Sequence, residues 1–297
     1  MPGMTDAAPP RSTLRPVDAV ALRRVQQRLQ RAEAPWLHVE VARRMAERLA
    51  VIRLQPRTVI DWWHRAGGSA EVLRATYPRA RRLPVAGEGQ ASGPAPKWWD
   101  LPRRRDLAEL PPAELPPASG ELLWANMMLH WCADPQAEML RWHRALAVDG
   151  FLMFSTLGPG TLQGLRALYA ERGWPEPHAP FVDMHDLGDM LVAAGFADPV
   201  MDQETLTLNW QDASALLGEL RGLGGNVAPA RHAGLRTPRW RDVLCLALQQ
   251  SSPARPALQF ELVYGHAFRP RPRARVAAET RLDLDDMRSI LRSPRDP

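Results

Sequence analysis

The sequence predicts an α/β fold, a mostly parallel sheet covered by helices on both faces, and three observations carry that expectation. Leu122-Leu123-Trp124-Ala125 and Phe151-Leu152-Met153-Phe154 are short continuous apolar runs, as strands buried on both faces require. Between them, Asp134-Pro135 supplies an N-cap followed by a proline in the first helical turn, and Met139, Leu140, His143 and Leu146 recur at helical spacing. Strand, helix and strand in that order imply a parallel crossover, and such sheets bind ligands beyond the carboxyl ends of their strands. Asn126 to Asp134, and Ser155 to Thr161, are therefore expected to line a site.

In chain order, residues 1–16 form a Pro/Ala-rich leader without periodicity, expected to be disordered. Residues 17–56 hold two helices, one basic with Leu22, Val25 and Leu29 inside, the next with Val41, Met45, Leu49 and Ile52, ended by Pro56. The main domain spans residues 57–268 and starts with a strand at Arg57 to Asp61. Ser69 can cap a helix carrying Val72, Leu73 and Tyr77, and Arg82 to Ala86 is the second strand. From Gly87 to Gly120 the chain is rich in proline, glycine and alanine, with no helical stripe. After Phe154, helices are expected over Thr161 to Arg172, from the Asp183 cap to the stop at Gly195, along Leu216, Leu217, Leu220 and Leu223, and near Trp240 to Gln250. Thr205 to Leu208 and Leu258 to Tyr264 alternate as strands and should close the far edge of the sheet as an antiparallel pair. Residues 269–297 read as a basic, proline-broken tail.

With 297 residues and 45% hydrophobic content, the chain can bury a full core. No window approaches ~18 uninterrupted apolar residues, so a membrane span is not expected and a cytoplasmic location is. Cys132 and Cys245 are too few for a disulfide framework and have no metal-ligand spacing, so no metal is expected. The net charge of +5 is almost wholly arginine spread along the chain, with one lysine, Lys97, and no nucleic-acid motif accompanies it.

Trp124-Ala125-Asn126 with His130-Trp131-Cys132-Ala133-Asp134, Phe154 to Leu162, and above all FVDMHDLGDMLVAAGFADPVMD at Phe181 to Asp202 resemble the malonyl-acyl-carrier-protein O-methyltransferases of biotin synthesis. Leu220 to Asn226 and Tyr264-Gly265-His266-Ala267 are similar to later segments of that family. The resemblance implies a class I methyltransferase, Rossmann-like fold with an antiparallel last strand. It further implies S-adenosylmethionine as donor and a malonyl thioester on an acyl carrier protein as acceptor; a monomer is expected. It places Asn126, at the tip of the family's fourth strand, with His130 and Trp131 on the donor side, together with Asp61, Gly67 and Glu88. Ser155, Thr156, Gly158 and His185 fall on the acceptor side. Asp183 and Asp186 are equally explained as helix-start carboxylates.

Where the family reads acidic-x-G-x-G-x-G after the first strand, this chain reads Asp61-Trp62-Trp63-His64-Arg65-Ala66-Gly67. Trp63 and Arg65 take the first two glycine positions, where the backbone must turn tightly and approach a ligand closely. Glu88, 27 residues after Asp61, is the nearest candidate for the ribose-binding carboxylate. Asp106-Leu107 stands where the family has Asp-Ala, and Gln30-Arg31 where it has Tyr-Asp. Two expectations follow: a divergent methyltransferase with rearranged donor loops, or a non-catalytic relative that keeps the acceptor or carrier surface. For the latter, Arg231, Arg236, Arg239 and Arg241 are the candidate docking cations.

Overall fold

The computed structural model describes residues 14–87, 108–251 and 254–272. Glu88 and Asp106-Leu107 lie outside the described residues, as do residues 1–13 of the leader and 273–297 of the tail.

Six strands form one sheet: β1 (Thr58–Trp62), β2 (Arg81–Val85), β3 (Gly120–Ala125), β4 (Leu146–Leu157), β5 (Ala197–Asn209) and β6 (Ala257–Phe268). Their order is β2-β1-β3-β4-β6-β5. The first four pair in parallel, and β6 runs antiparallel to both β4 and β5. The expected parallel sheet with an antiparallel last strand is what the chain forms.

Side-chain alternation along the strands sorts the core into two layers. Ile60, Trp62, Leu123, Ala125, Leu152 and Phe154 point to one face, where they meet Leu22 and Leu29 of α1 (Ala19–Arg31), Met139 and Trp142 of α5 (Pro135–Ala145), and Leu187 and Leu191 of α7 (Met184–Ala193). Val59, Leu122, Trp124, Phe151 and Met153 point to the other. They pack against Leu37, Val41 and Met45 of α2 (Trp36–Arg48), Leu73 of α4 (Ala70–Thr76), Leu165 and Leu168 of α6 (Gln163–Glu171), Leu216 of α8 (Ala213–Leu223) and Leu244 of α9 (Pro238–Gln250). A single turn, α3 (His64–Gly67), follows β1. Among the described residues no helix is long and apolar enough to cross a membrane.

Four expectations need correction. The inner face of α5 is Glu138, Met139, Trp142 and Ala145, while Leu140 is 50% exposed. Glu138 is buried because its carboxylate accepts from Trp62 Nε1 at 2.7 Å and pairs with Arg141, an arrangement no apolar stripe signals. Ser69 precedes α4 without capping it, since its hydroxyl accepts from Trp124 Nε1 at 2.8 Å. Phe151–Phe154 and Thr205–Leu208 are only the most apolar parts of strands of 12 and 13 residues. Finally, Leu14 to Pro16 are held in place: Arg15 is buried, and its guanidinium donates to the carbonyls of His130, Cys132 and Pro180. Burial lowers its pKa to about 10, so it remains a cation at neutral pH and ties two cavity-wall loops together.

Candidate active site

Three residues at the carboxyl ends of β1, β3 and β4, namely Trp63, Met127 and Leu162, adopt positive φ without being glycine, at 53°, 52° and 58°. Such conformations cost on the order of 1–3 kcal/mol each and collect at functional sites. They divide the strand ends into two regions with opposite character.

Beyond β3 and β4 lies a cavity of about 320 Å³. Met127, His130 and Trp131 from the loop after β3, Leu157 at the end of β4, Leu162 from the loop that follows, and His38 of α2 form part of its wall. His178 and Phe181 from the loop before α7 line it too, with Arg28, Arg221 and the Gly224-Gly225 turn among its lining residues. The rings form a chain: His130 meets Trp131 at 5.0 Å and Phe181 at 6.1 Å, and Phe181 stacks on His178 at 5.1 Å.

Its histidines are neutral hydrogen-bonding groups. His38 Nδ1 lies 2.7 Å from the Ala66 carbonyl and His178 Nδ1 lies 2.9 Å from the Ala179 carbonyl. A carbonyl oxygen only accepts, so each Nδ1 carries the hydrogen and each Nε2 is left as an acceptor. Burial lowers the His38 pKa to about 4 and depresses those of His130 and His178 as well. His178 Nε2 and Trp131 Nε1 are both buried without a partner. One is an acceptor and the other a donor, and an unmet buried polar group costs about 1–3 kcal/mol.

Beyond β1 and β2 the same space is filled. Trp63 stands in the left-handed conformation that favours glycine, yet its indole is 1% exposed and packs in the core layer with Trp62, Ala66 and Leu83. Arg65 turns outward and pairs with Glu109 at 2.7 Å. Asp61 is buried at the end of β1, and Arg82 Nη1 donates to its Oδ2 at 2.7 Å. At the end of β2, a Cβ on Gly87 would lie 1.6 Å from Gln30 Nε2, so the Gln30 side chain of α1 fills the space over the strand. In this packing the crevice at β1 and β2 is occupied by the chain's own side chains. Trp63 occupies the room its glycine would leave, and the Asp61 carboxylate is already engaged by a cation.

Asn126 stands between the two regions. Its Nδ2 donates to the carbonyls of His38 and Gly67, each at 2.7 Å, and its Oδ1 accepts from Ser155 Oγ at 2.7 Å. Gly67 belongs to the same joint through its carbonyl, which accepts from Asn126 Nδ2. Of the remaining sequence candidates, His130 and Trp131 line the cavity, and Thr156 Oγ1 sits 3.3 Å from His130 Nδ1. Gly158 bonds through its N–H to the Glu261 carbonyl of β6 at 2.9 Å. His185 does not join the site: its side chain is 84% exposed, with Nδ1 2.9 Å from its neighbour Asp183. His38, His178, Phe181, Arg28 and Arg221 were not singled out from sequence, because α1, α2, α8 and the loop before α7 meet at the cavity only through topology.

No protein-family model matches the chain. It is 38% identical over 250 residues to the malonyl-[acyl-carrier protein] O-methyltransferase of Gallionella capsiferriformans, covering 80% of this chain and 85% of that protein. It is also 38% identical over 286 residues to that of Laribacter hongkongensis, covering 90% and 94%. Among solved structures, the YcgJ protein of Bacillus subtilis superposes with a TM-score of 0.51 at 13% identity, covering 79% of this chain and 100% of that one, which shows a shared fold. The identity and coverage of the two curated relatives place this chain in the malonyl-[acyl-carrier protein] O-methyltransferase family.

Proposed function

We propose that this chain takes the malonyl thioester of an acyl carrier protein as acceptor, in the family's reaction of methyl transfer to a free carboxylate. The cavity beyond β3 and β4 is the observation that carries this reading. Its mostly apolar wall suits an acyl thioester. A malonyl carboxylate is ionised at neutral pH and is itself the nucleophile. No general base is required, so three neutral histidines are compatible with the reaction class. What this chain supplies is positioning and exclusion of water: Arg15 and Asn126 fix the loop that bears Met127 and His130 and tie it to Ser155 at the end of β4.

The donor in this reading is S-adenosylmethionine, and the filled crevice at Trp63 and Gln30 supports a second one. In that reading the chain holds the acceptor without passing on a methyl group. Titration with malonyl-pantetheine, followed by mass analysis for its methyl ester in the presence of S-adenosylmethionine, separates the two. Saturable binding with ester formation supports the enzyme, and saturable binding without ester at saturating donor supports the second reading. Absence of acceptor binding overturns both.

A further inference from the structure

Among the described residues, the arginines of α1 and α2 differ in how they are paired. On α2 they are neutralised: Arg43 and Arg44 each pair with Glu40 at 2.8 Å, Arg44 also with Glu204 at 3.2 Å, and Arg48 with Asp202 at 2.8 Å. The cations singled out from sequence are largely engaged too. Arg231 pairs with Asp18 at 2.8 Å, Arg236 lies over the Trp240 ring at 4.3 Å, and Arg241 donates to Ser214 Oγ at 2.7 Å.

Helix α1 differs. Its sequence, AVALRRVQQRLQR, contains four arginines and no carboxylate. Arg24, Arg28 and Arg31, at spacings of four and three, share one exposed face. Among the described residues Arg23, Arg24 and Arg31 make no ion pair. Like charges at these spacings weaken a helix, so the arrangement works against the stability of α1, and no carboxylate among the described residues pairs with Arg23, Arg24 or Arg31.

This face is continuous with the cavity. Arg28 lies both on the shallow surface formed with Arg24, Gln27 and Arg31 and on the wall of the cavity. Its guanidinium donates to the Gly224 carbonyl in the turn that borders the cavity. Gln26, on the buried side of the same helix, donates to the Trp131 carbonyl at 2.8 Å. Exposed Arg221 of α8 adds a further cation to the cavity lining. Glu219, also on α8, accepts from Trp36 Nε1 at 2.6 Å.

We propose that the arginine face of α1, extended by Arg28 and Arg221, is the docking surface for the acidic carrier domain that presents the thioester. The inference rests on the acceptor reading above. A carrier delivers its arm from a seat beside the opening, and here the positive face of α1 reaches the cavity lining through Arg28, with Arg221 beside it. Charge complementarity of this kind acts chiefly on the encounter rate and falls with ionic strength.

The test is Arg24→Glu combined with Arg31→Glu, which spares Arg28 and Arg221 at the cavity itself. Binding is measured to malonyl-loaded acyl carrier protein and, separately, to malonyl-pantetheine, at low and at physiological salt, with thermal melting to confirm folding. The expected result is a loss of carrier affinity of about tenfold or more, reduced salt dependence, and unchanged affinity for malonyl-pantetheine. Unchanged carrier affinity in the folded variant overturns the inference, whatever the small ligand does. If malonyl-pantetheine fails to bind the parent chain while carrier binding is still lost on charge reversal, the docking surface stands and the cavity assignment falls. Should the double variant unfold, Arg24→Gln with Arg31→Gln is expected to retain the fold and lower carrier affinity severalfold, and no change there overturns the proposal.

Discussion

The two halves of the strand-end surface solve opposite problems with the same backbone. Beyond β3 and β4, positive φ at Met127 and Leu162 accompanies an open space. Beyond β1, positive φ at Trp63 accompanies a space that the residue itself fills. A left-handed turn therefore persists where its glycine does not, which teaches that the turn is set by the strand and helix it joins rather than by the residue in it. It also means that the indole adds packing energy at a position that carries backbone strain.

The sharpest way to break this comparison is to remove the indole. Trp63→Ala should cost about 3–5 kcal/mol, the usual loss for a buried tryptophan. Trp63→Gly should cost about 1 kcal/mol less, because glycine relieves the strain at φ 53°. Urea denaturation of both variants measures the difference; a glycine variant less stable than the alanine one would show that the turn carries no strain.

Acid should act on the acceptor half. His38 titrates at about 4 in the folded chain against 6.5 when free. Above pH 6.5 neither state binds the proton and the site is neutral in its effect. Below it the unfolded chain takes up a proton that the folded chain refuses, so stability falls and levels off near pH 4. At about 1.4 kcal/mol per pKa unit the loss is on the order of 3 kcal/mol. His38→Asn keeps a donor for the Ala66 carbonyl and does not titrate, so its stability profile between pH 7 and 4 should be flatter by that amount. An unchanged slope would place the acid sensitivity elsewhere.

The joint between the halves comes next. Asn126→Asp replaces the amide that donates to the His38 and Gly67 carbonyls with an acceptor, and should cost about 2–3 kcal/mol in thermal or urea unfolding. Arg65→Gly should change donor affinity little, because the Arg65 side chain points away toward Glu109. If it instead improved donor binding as much as Trp63→Gly, the assignment of the block to the indole would be wrong. The smallest effect is expected at Leu140→Gln on the exposed face of α5, within about 0.5 kcal/mol.

The fold was largely legible because its signals are local. Apolar runs mark β3 and β4, Asp134 and Asp183 stand at helix starts, and alternation marks β5 and β6. The α5 stripe was misread because a buried carboxylate, Glu138, takes a core position through its bonds to Trp62 and Arg141. The site was legible only at the ends of β3 and β4, where Asn126 bonds to Ser155 and where His130 and Trp131 line the cavity. Three further histidine environments were not foreseeable alike: His185 sits in a strong sequence match yet faces solvent, while His38 and His178 reach the cavity from segments without a motif. The steric conflict at Trp63 and Arg65 could be seen from residue size, but which of the two points inward depends on Glu109, 44 residues away.

Central to this account is that the indole of Trp63 closes the donor crevice of the resting chain. Displacing a fully buried aromatic side chain costs about 1.5–3 kcal/mol, which weakens any ligand that needs its place by roughly ten- to a hundredfold. Calorimetric titration of S-adenosylhomocysteine into the parent chain and into Trp63→Gly measures this directly. The account predicts no saturation of the parent in the low-micromolar range and binding at least tenfold tighter in the glycine variant. Low-micromolar binding to the parent, left unchanged by Trp63→Gly, would contradict it.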